Sequence, residues 1–153
     1  MRIAKSETGT SGPSTVPRES SARLVGRLRH ATRESPERQR VRIKRIYDPP
    51  ARGDGYRVLV DRLWPRGISK SRASIDAWDK ELAPSTALRE WFGHAPERWS
   101  TFRRKYRREL EDHTVGLDAL KRRSARRPVT LLYAAKSHDY NHARVLKQAI
   151  EEV

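Results

Sequence analysis

Two short stretches dominated by apolar residues, Val58-Leu59-Val60 and Val129 to Ala135, constrain this chain more than any other feature. A strand with one wet face alternates apolar and polar residues, and these do not, so each reads as a strand buried on both faces. Both are far shorter than the roughly 20 residues that span a bilayer. A third strand is expected from Val41 to Tyr47, which is rich in β-branched and aromatic residues and ends on the stop signal Asp48-Pro49-Pro50. Strands buried on both faces need covering elements, and helical patterns supply them. Ser85 is a suitable N-cap for a helix carrying Leu88, Trp91 and Phe92, with Gly93 as its C′ residue. Pro96 suits a first helical position. Beyond it Trp99, Phe102, Tyr106 and Leu110 recur at spacings of three and four, an inward stripe on a helix whose outer face carries arginines. Further helices are expected over Leu117 to Arg126, which must stop before Pro128, and over residues 141–152. This order of elements predicts an α/β fold: one compact domain with a mainly parallel sheet flanked by helices.

Charge and composition narrow the function classes. The 153 residues contain 34 Lys and Arg against 19 Asp and Glu, a formal net charge of +15, so anionic partners are expected. There is no cysteine, which excludes disulfides, thiolate nucleophiles and Cys-ligated zinc or iron–sulfur centres. Residues 1–40 have 9 basic and 4 acidic residues and almost no aliphatic pattern, so they read as a disordered basic extension. A basic amphipathic helix over Ser21 to Arg33 is the alternative there. Four acidic residues and the lack of an apolar h-region argue against import or secretion, and a cytoplasmic location is expected. The abrupt change of character at Val41 also fits translation starting on a valine codon there, which would leave residues 41–153 as the whole protein.

The candidate chemistry lies at strand ends. The second strand runs into Asp61-Arg62-Leu63-Trp64-Pro65-Arg66 and the last into Lys136-Ser137. In open α/β sheets ligands bind outside the carboxyl ends of strands, so these two endings share one crevice if the strands are neighbours. Arg62, Arg66 and Lys136 would form a cationic wall and Trp64 a stacking face, with Asp61 orienting an arginine or acting as a base. The structural alternative is a buried Asp–Arg pair fixing the turn, with Trp64 filling core. Further on, Ser137 and Asn141 approach the same place. Asn141 either caps the last helix or binds a ligand. His142 lies four residues before Leu146 and should face inward near the helix N-terminus, as a core histidine or a proton carrier. His138 and His142 have a spacing that can serve one metal, yet no third ligand is evident and no metal is assigned. Neither a dinucleotide fingerprint nor a P-loop occurs, so no cofactor is assigned. Lys80 and Arg89 would add to the anion site if the segment around Trp78 folds over the crevice; otherwise Trp78 anchors a loop.

These residues together indicate a small-molecule enzyme or ligand-binding domain for an anionic compound, phosphorylated or nucleotide-like, with Asp61 or His142 handling a proton. The alternative is a nucleic-acid-binding accessory protein that uses Arg103, Arg104, Arg107 and Arg108 on the arginine-rich helix. A third reading is an interaction module whose polar residues are locked in internal pairs. No membrane partner is expected, and nothing in the sequence specifies an oligomeric state.

Several motifs also carry a family likeness. Ile43-Lys44-Arg45-Ile46-Tyr47-Asp48, Gly55 to Gly67, Trp78-Asp79-Lys80-Glu81 with Pro84-Ser85, and Thr130 to Lys136 followed by Asn141-His142-Ala143 closely resemble the YeaO-like bacterial proteins of domain-of-unknown-function family 488. The resemblance covers residues 41–153. It implies a compact α/β domain in the bacterial cytoplasm and lends no reaction, cofactor or catalytic residue.

Overall fold

A computed structural model describes residues 40–153. The expected basic extension, with its stretch from Ser21 to Arg33, lies outside the described residues apart from Arg40. Four strands build one sheet: β1 (Val41–Arg45), β2 (Tyr56–Leu59), β3 (Ala77–Trp78) and β4 (Val129–Tyr133). Their spatial order is β1-β4-β2-β3, and every neighbouring pair is parallel. Val58, Leu59 and Val60 are fully buried, as are all five residues of β4, which is the burial that runs without alternation require.

Successive strand residues point to opposite faces, so the two faces receive different covers. Val58, Val60, Leu131 and Tyr133 pack with Leu88 and Phe92 of α2 (Thr86–Phe92), Phe102, Tyr106 and Leu110 of α3 (Trp99–Leu110), Leu117 and Leu120 of α4 (Thr114–Ser124), and Leu146 and Ile150 of α5 (His142–Glu152). On the other face Leu59, Leu132 and Ile46 meet Trp78 of β3 and, from the segment between β2 and β3, Trp64, Ile68, Ala73 and Ile75. That segment contains one short helix, α1 (Lys70–Ala73). The helical layer is therefore one-sided, and an irregular strap covers the second face.

The caps act as their residue types suggest. Ser85 Oγ accepts from Leu88 N at 3.1 Å, and Gly93 closes α2 with φ 51°. Asn141 Oδ1 accepts from Arg144 N at 3.2 Å to cap α5. Gly55 has φ 68°, and a Cβ there would stand 2.1 Å from Pro128 O, so only glycine lets the start of β2 approach the start of β4.

The structure departs from the sequence expectation at one helix boundary and in one added strand. β2 leaves the ladder after Val60 N donates to Leu132 O at 3.0 Å, where Asp61 turns into the strap. The helix expected from Leu117 begins at Thr114, preceded by a 3-10 turn over Glu111–His113. β3 was not expected as a strand at all. It has two residues, paired to Val58 and Leu59.

Under the strap sits a buried ionic cluster. Asp54 and Arg57 are 6% and 5% exposed, and Arg57 Nη1 donates to Asp54 Oδ2 at 2.5 Å. Lys44 Nζ and Ala51 N each donate to the same oxygen at 3.0 Å. Arg57 also donates to Ala73 O at 2.7 Å and Ser74 O at 2.9 Å, which ties the strap to the sheet. Burial by itself would raise the Asp54 carboxyl, but the bonds from Ala51, Lys44 and Arg57 outweigh it and hold the group below its usual range.

Candidate functional site

Because β2 and β4 are parallel neighbours, Asp61-Arg62 and Lys136-Ser137 leave the sheet at the same edge, and α5 begins beside them. A cleft of about 670 Å³ opens there. Asp61, Arg62, Trp64, Arg66, Lys136, Ser137, Asn141 and His142 all line it, so the structure brings together every cleft residue expected from the sequence. Arg89 joins them, as do Tyr47, Phe92, His94 and Phe102. Of these added residues only Arg89 had a sequence signal, as a cation beside the Trp78 segment. Tyr47, His94 and the two phenylalanines arrive through packing of distant elements. Lys80 does not reach the cleft: its Nζ lies 4.2 Å from the centroid of the Trp78 ring. Trp78 Nε1 donates to Asp61 O at 2.7 Å, so Trp78 anchors its segment to the end of β2.

The cleft residues divide into those held by the protein and those left for a ligand. Arg62 donates from Nε to Pro84 O at 3.1 Å and from Nη2 to Ala83 O at 3.2 Å, which orients the guanidinium while using only part of its donor fork. Trp64 donates to Ile68 O at 2.8 Å and packs edge-on to Trp78 at 5.3 Å, so much of its ring surface serves the second core. Asn141 is buried, and its Nδ2 donates to Ser137 O and His138 O at 2.9 Å each while its Oδ1 caps α5. Its polar atoms are all engaged. Ser137 Oγ accepts from Asp139 N and Tyr140 N, turning the chain from β4 toward α5. Arg66, Arg89 and Lys136, by contrast, are exposed side chains at the cleft wall.

Asp61 and His142 form a directed pair. Asp61 Oδ2 accepts from Ala134 N at 3.0 Å, which clips the end of β2 to the end of β4. His142 Nε2 lies 2.9 Å from Val60 O and 3.1 Å from Asp61 Oδ1. A carbonyl and a carboxylate only accept, so Nε2 carries the hydrogen, and in the neutral ring Nδ1 is the acceptor. That hydrogen is directed at Val60 O, which leaves Asp61 Oδ1 buried and without a hydrogen bond. Tyr106, whose ring meets His142 edge-on at 6.2 Å, donates to Leu82 O; burial, reinforced by the charges of Glu109 and Asp61, pushes its phenol well above the usual value. It is a fixed donor to the Leu82 carbonyl. His138 stands apart, with Nδ1 3.1 Å from the Tyr133 hydroxyl. Among the described residues no group of three or more His, Asp or Glu is arranged to hold a metal, and no helix is long and apolar enough to cross a membrane.

Electrostatically the cleft is cationic. Arg62, Arg66, Arg89 and Lys136 line it against the single carboxylate of Asp61. Apolar walls from Phe92, Phe102, Pro65 and Pro84 lower the local dielectric and strengthen the attraction for an anion. On the outer face of α3, Arg103 donates to Gln148 at 3.3 Å and Arg107 pairs with Glu152, so two of the four arginines of the alternative surface are tied to α5. Arg104 and Arg108 are exposed.

Comparison with known proteins finds relatives along the described residues. The family described as "Inactive DUF488-N3 subclade" matches residues 40–153. The uncharacterized protein YeaO of Escherichia coli K12 is 48% identical over 106 residues, which span 69% of this chain and 92% of that protein. The uncharacterized proteins Mb3100c of Mycobacterium bovis and Rv3073c of Mycobacterium tuberculosis are each 42% identical over 111 residues, 72% of this chain and 93% of theirs. No solved structure matches. With the match running from the first described residue to the end of the sheet-and-helix domain, the chain belongs to the YeaO-like DUF488 family, in the subclade described as inactive DUF488-N3.

Proposed function

We propose that the domain is a bacterial cytoplasmic ligand-binding protein that holds an anionic small molecule, phosphorylated or nucleotide-like, in the cleft at the carboxyl ends of β2 and β4. The observation that carries this reading is the convergence of Arg62, Arg66, Arg89 and Lys136 on one concave site whose only carboxylate among the described residues, Asp61, is already hydrogen-bonded to Ala134 N. Arg62, pre-oriented by two carbonyls, offers the rest of its fork to a phosphate or carboxylate, while Arg66, Arg89 and Lys136 close around the charge. Phe92 and Phe102 supply apolar surface for the uncharged part of the ligand. Binding is favoured over turnover on two grounds. The Nε2 hydrogen of His142 is spent on the end of β2, and the family description carries the word "inactive".

The test is a thermal-shift screen of the full chain against phosphorylated metabolites and nucleotides. A ligand at about 100 times its Kd should add roughly 2.7 kcal/mol of stability. The gain should vanish in the double variant Arg66→Ala with Lys136→Ala, whose side chains make no bond to the described residues. A panel that stabilises nothing, or a stabilising ligand indifferent to that double change, would overturn the reading.

A further inference from the structure

At the opposite end of β4 from the cleft, the geometry points to a second anion site that binds the phosphodiester backbone of duplex DNA without regard to sequence. The motivating feature is a shallow cup of about 570 Å³ lined by Arg122, Arg123, Arg126 and Arg127 together with Ala119 and Ala125. The chain continues its helical path past the end of α4, since Arg126 N and Arg127 N both donate to Arg123 O. Arg122 with Arg126, and Arg123 with Arg127, therefore recur on one face at a spacing of four. All four side chains are exposed. The cup lies just before Val129, whereas the cleft begins past Tyr133, so the length of the strand, roughly 16 Å, separates the two sites.

The charge there exceeds what local structure can balance. A helix C-terminus offers about half a negative charge. Against it stand Lys121, Arg122, Arg123, Arg126 and Arg127, and within residues 114–128 the one acidic side chain is Asp118, bonded to Arg122 at 2.9 Å. Lys121 is directed away to Glu151 O, and Arg123 lies over the Tyr56 ring at 3.9 Å, which fixes its plane beside the cup without neutralising it. Arg126 and Arg127 make no side-chain bond to the described residues. Four exposed guanidinium groups lining one cup are a surface for several phosphates, since a guanidinium can hold a phosphate with two parallel N–H donors. The floor is alanine, and among the described residues no Asn, Gln, Ser or Thr lines the cup, so its polar contacts are guanidinium groups alone, which hold phosphate oxygens in any sequence. No large apolar side chain lines it either, which disfavours a lipid surface. A polyanion of repeating phosphates fits these features, and the site stands independently of the cleft reading.

The experiment is a salt titration of binding by the full chain to two short DNA duplexes of unrelated sequence. Both should bind alike. If four phosphates are neutralised, the log–log slope should be steeper by about 3.6 than without the cup, which is roughly a 150-fold loss of affinity between about 50 and 200 mM salt. Changing Arg122, Arg123, Arg126 and Arg127 together to Gln should remove that contribution, while the corresponding change of Arg104 and Arg108 on α3 should leave it in place. Should the quadruple variant fail to fold, Arg126→Gln with Arg127→Gln carries the test, with an expected decrease of about 1.8 in slope. Duplex binding with an unchanged slope in these cup variants overturns the proposal, as does binding to anionic phospholipid vesicles but not to duplex, or no duplex binding at low salt.

Discussion

Changing Asp54 to Asn replaces a buried carboxylate with an amide of nearly the same volume, and the structure sets the size of the effect. Arg57, 5% exposed, loses its charge partner at 2.5 Å, and Lys44 loses the partner of its ammonium group. An amide nitrogen turned toward these donors offers nothing to accept. Breaking a buried ion pair from one side costs about 3–5 kcal/mol, because the surviving charge stays desolvated. For a domain of this size each kcal/mol lowers Tm by roughly 4 °C, so the expected loss is about 12–20 °C at pH 7. The pH dependence provides a second check. The folded Asp54 carboxyl is held below its usual value, so its contribution is complete above that usual value, near 3.8, and fades as pH falls through the folded pKa. Parallel urea denaturation of both proteins should therefore show a gap that is constant from about pH 5 to 7 and narrows in stronger acid. A loss below about 1 kcal/mol at pH 7, or a gap that widens on acidification, would refute this account. Because Arg57 also holds Ala73 O and Ser74 O, the variant should loosen the strap that presents Arg62 and Arg66, and hydrogen exchange there should speed up.

Gly55→Ala combines a left-handed φ of 68° with a Cβ 2.1 Å from Pro128 O, so it must push β2 from β4; chemical denaturation should show a loss of more than about 1 kcal/mol, and wild-type stability would contradict the close approach. His142→Phe keeps a ring against Tyr106 but removes the donor to Val60 O, so stability should fall by about 1–3 kcal/mol, and an unchanged melting temperature would show that the Nε2 bond contributes nothing.

How much of this was legible beforehand follows from the range of the forces involved. The apolar runs at Val58 and Val129, the stripe Phe102-Tyr106-Leu110, and the caps Ser85, Gly93 and Asn141 depend on neighbours within a few residues, and local sequence determined them. That one edge of a parallel sheet would gather Asp61, Arg62, Lys136 and His142 was also readable, since covered strands connected through helices run parallel and end together. Tertiary structure alone decided the rest. β3 is two residues long and is a strand only because the edge of β2 offers Val58 and Leu59 as partners. Placing β4 between β1 and β2 set Asp61 Oδ2 on Ala134 N, at a sequence separation of 73. Arg62 is braced by Ala83 O and Pro84 O, and Asn141 has no polar atom left over, whereas the side chains of Arg66, Arg89 and Lys136 make no bond to the described residues. Which polar side chain is scaffold and which is available to a ligand depends on carbonyls brought from distant parts of the chain, and residue type alone does not encode the position of those carbonyls.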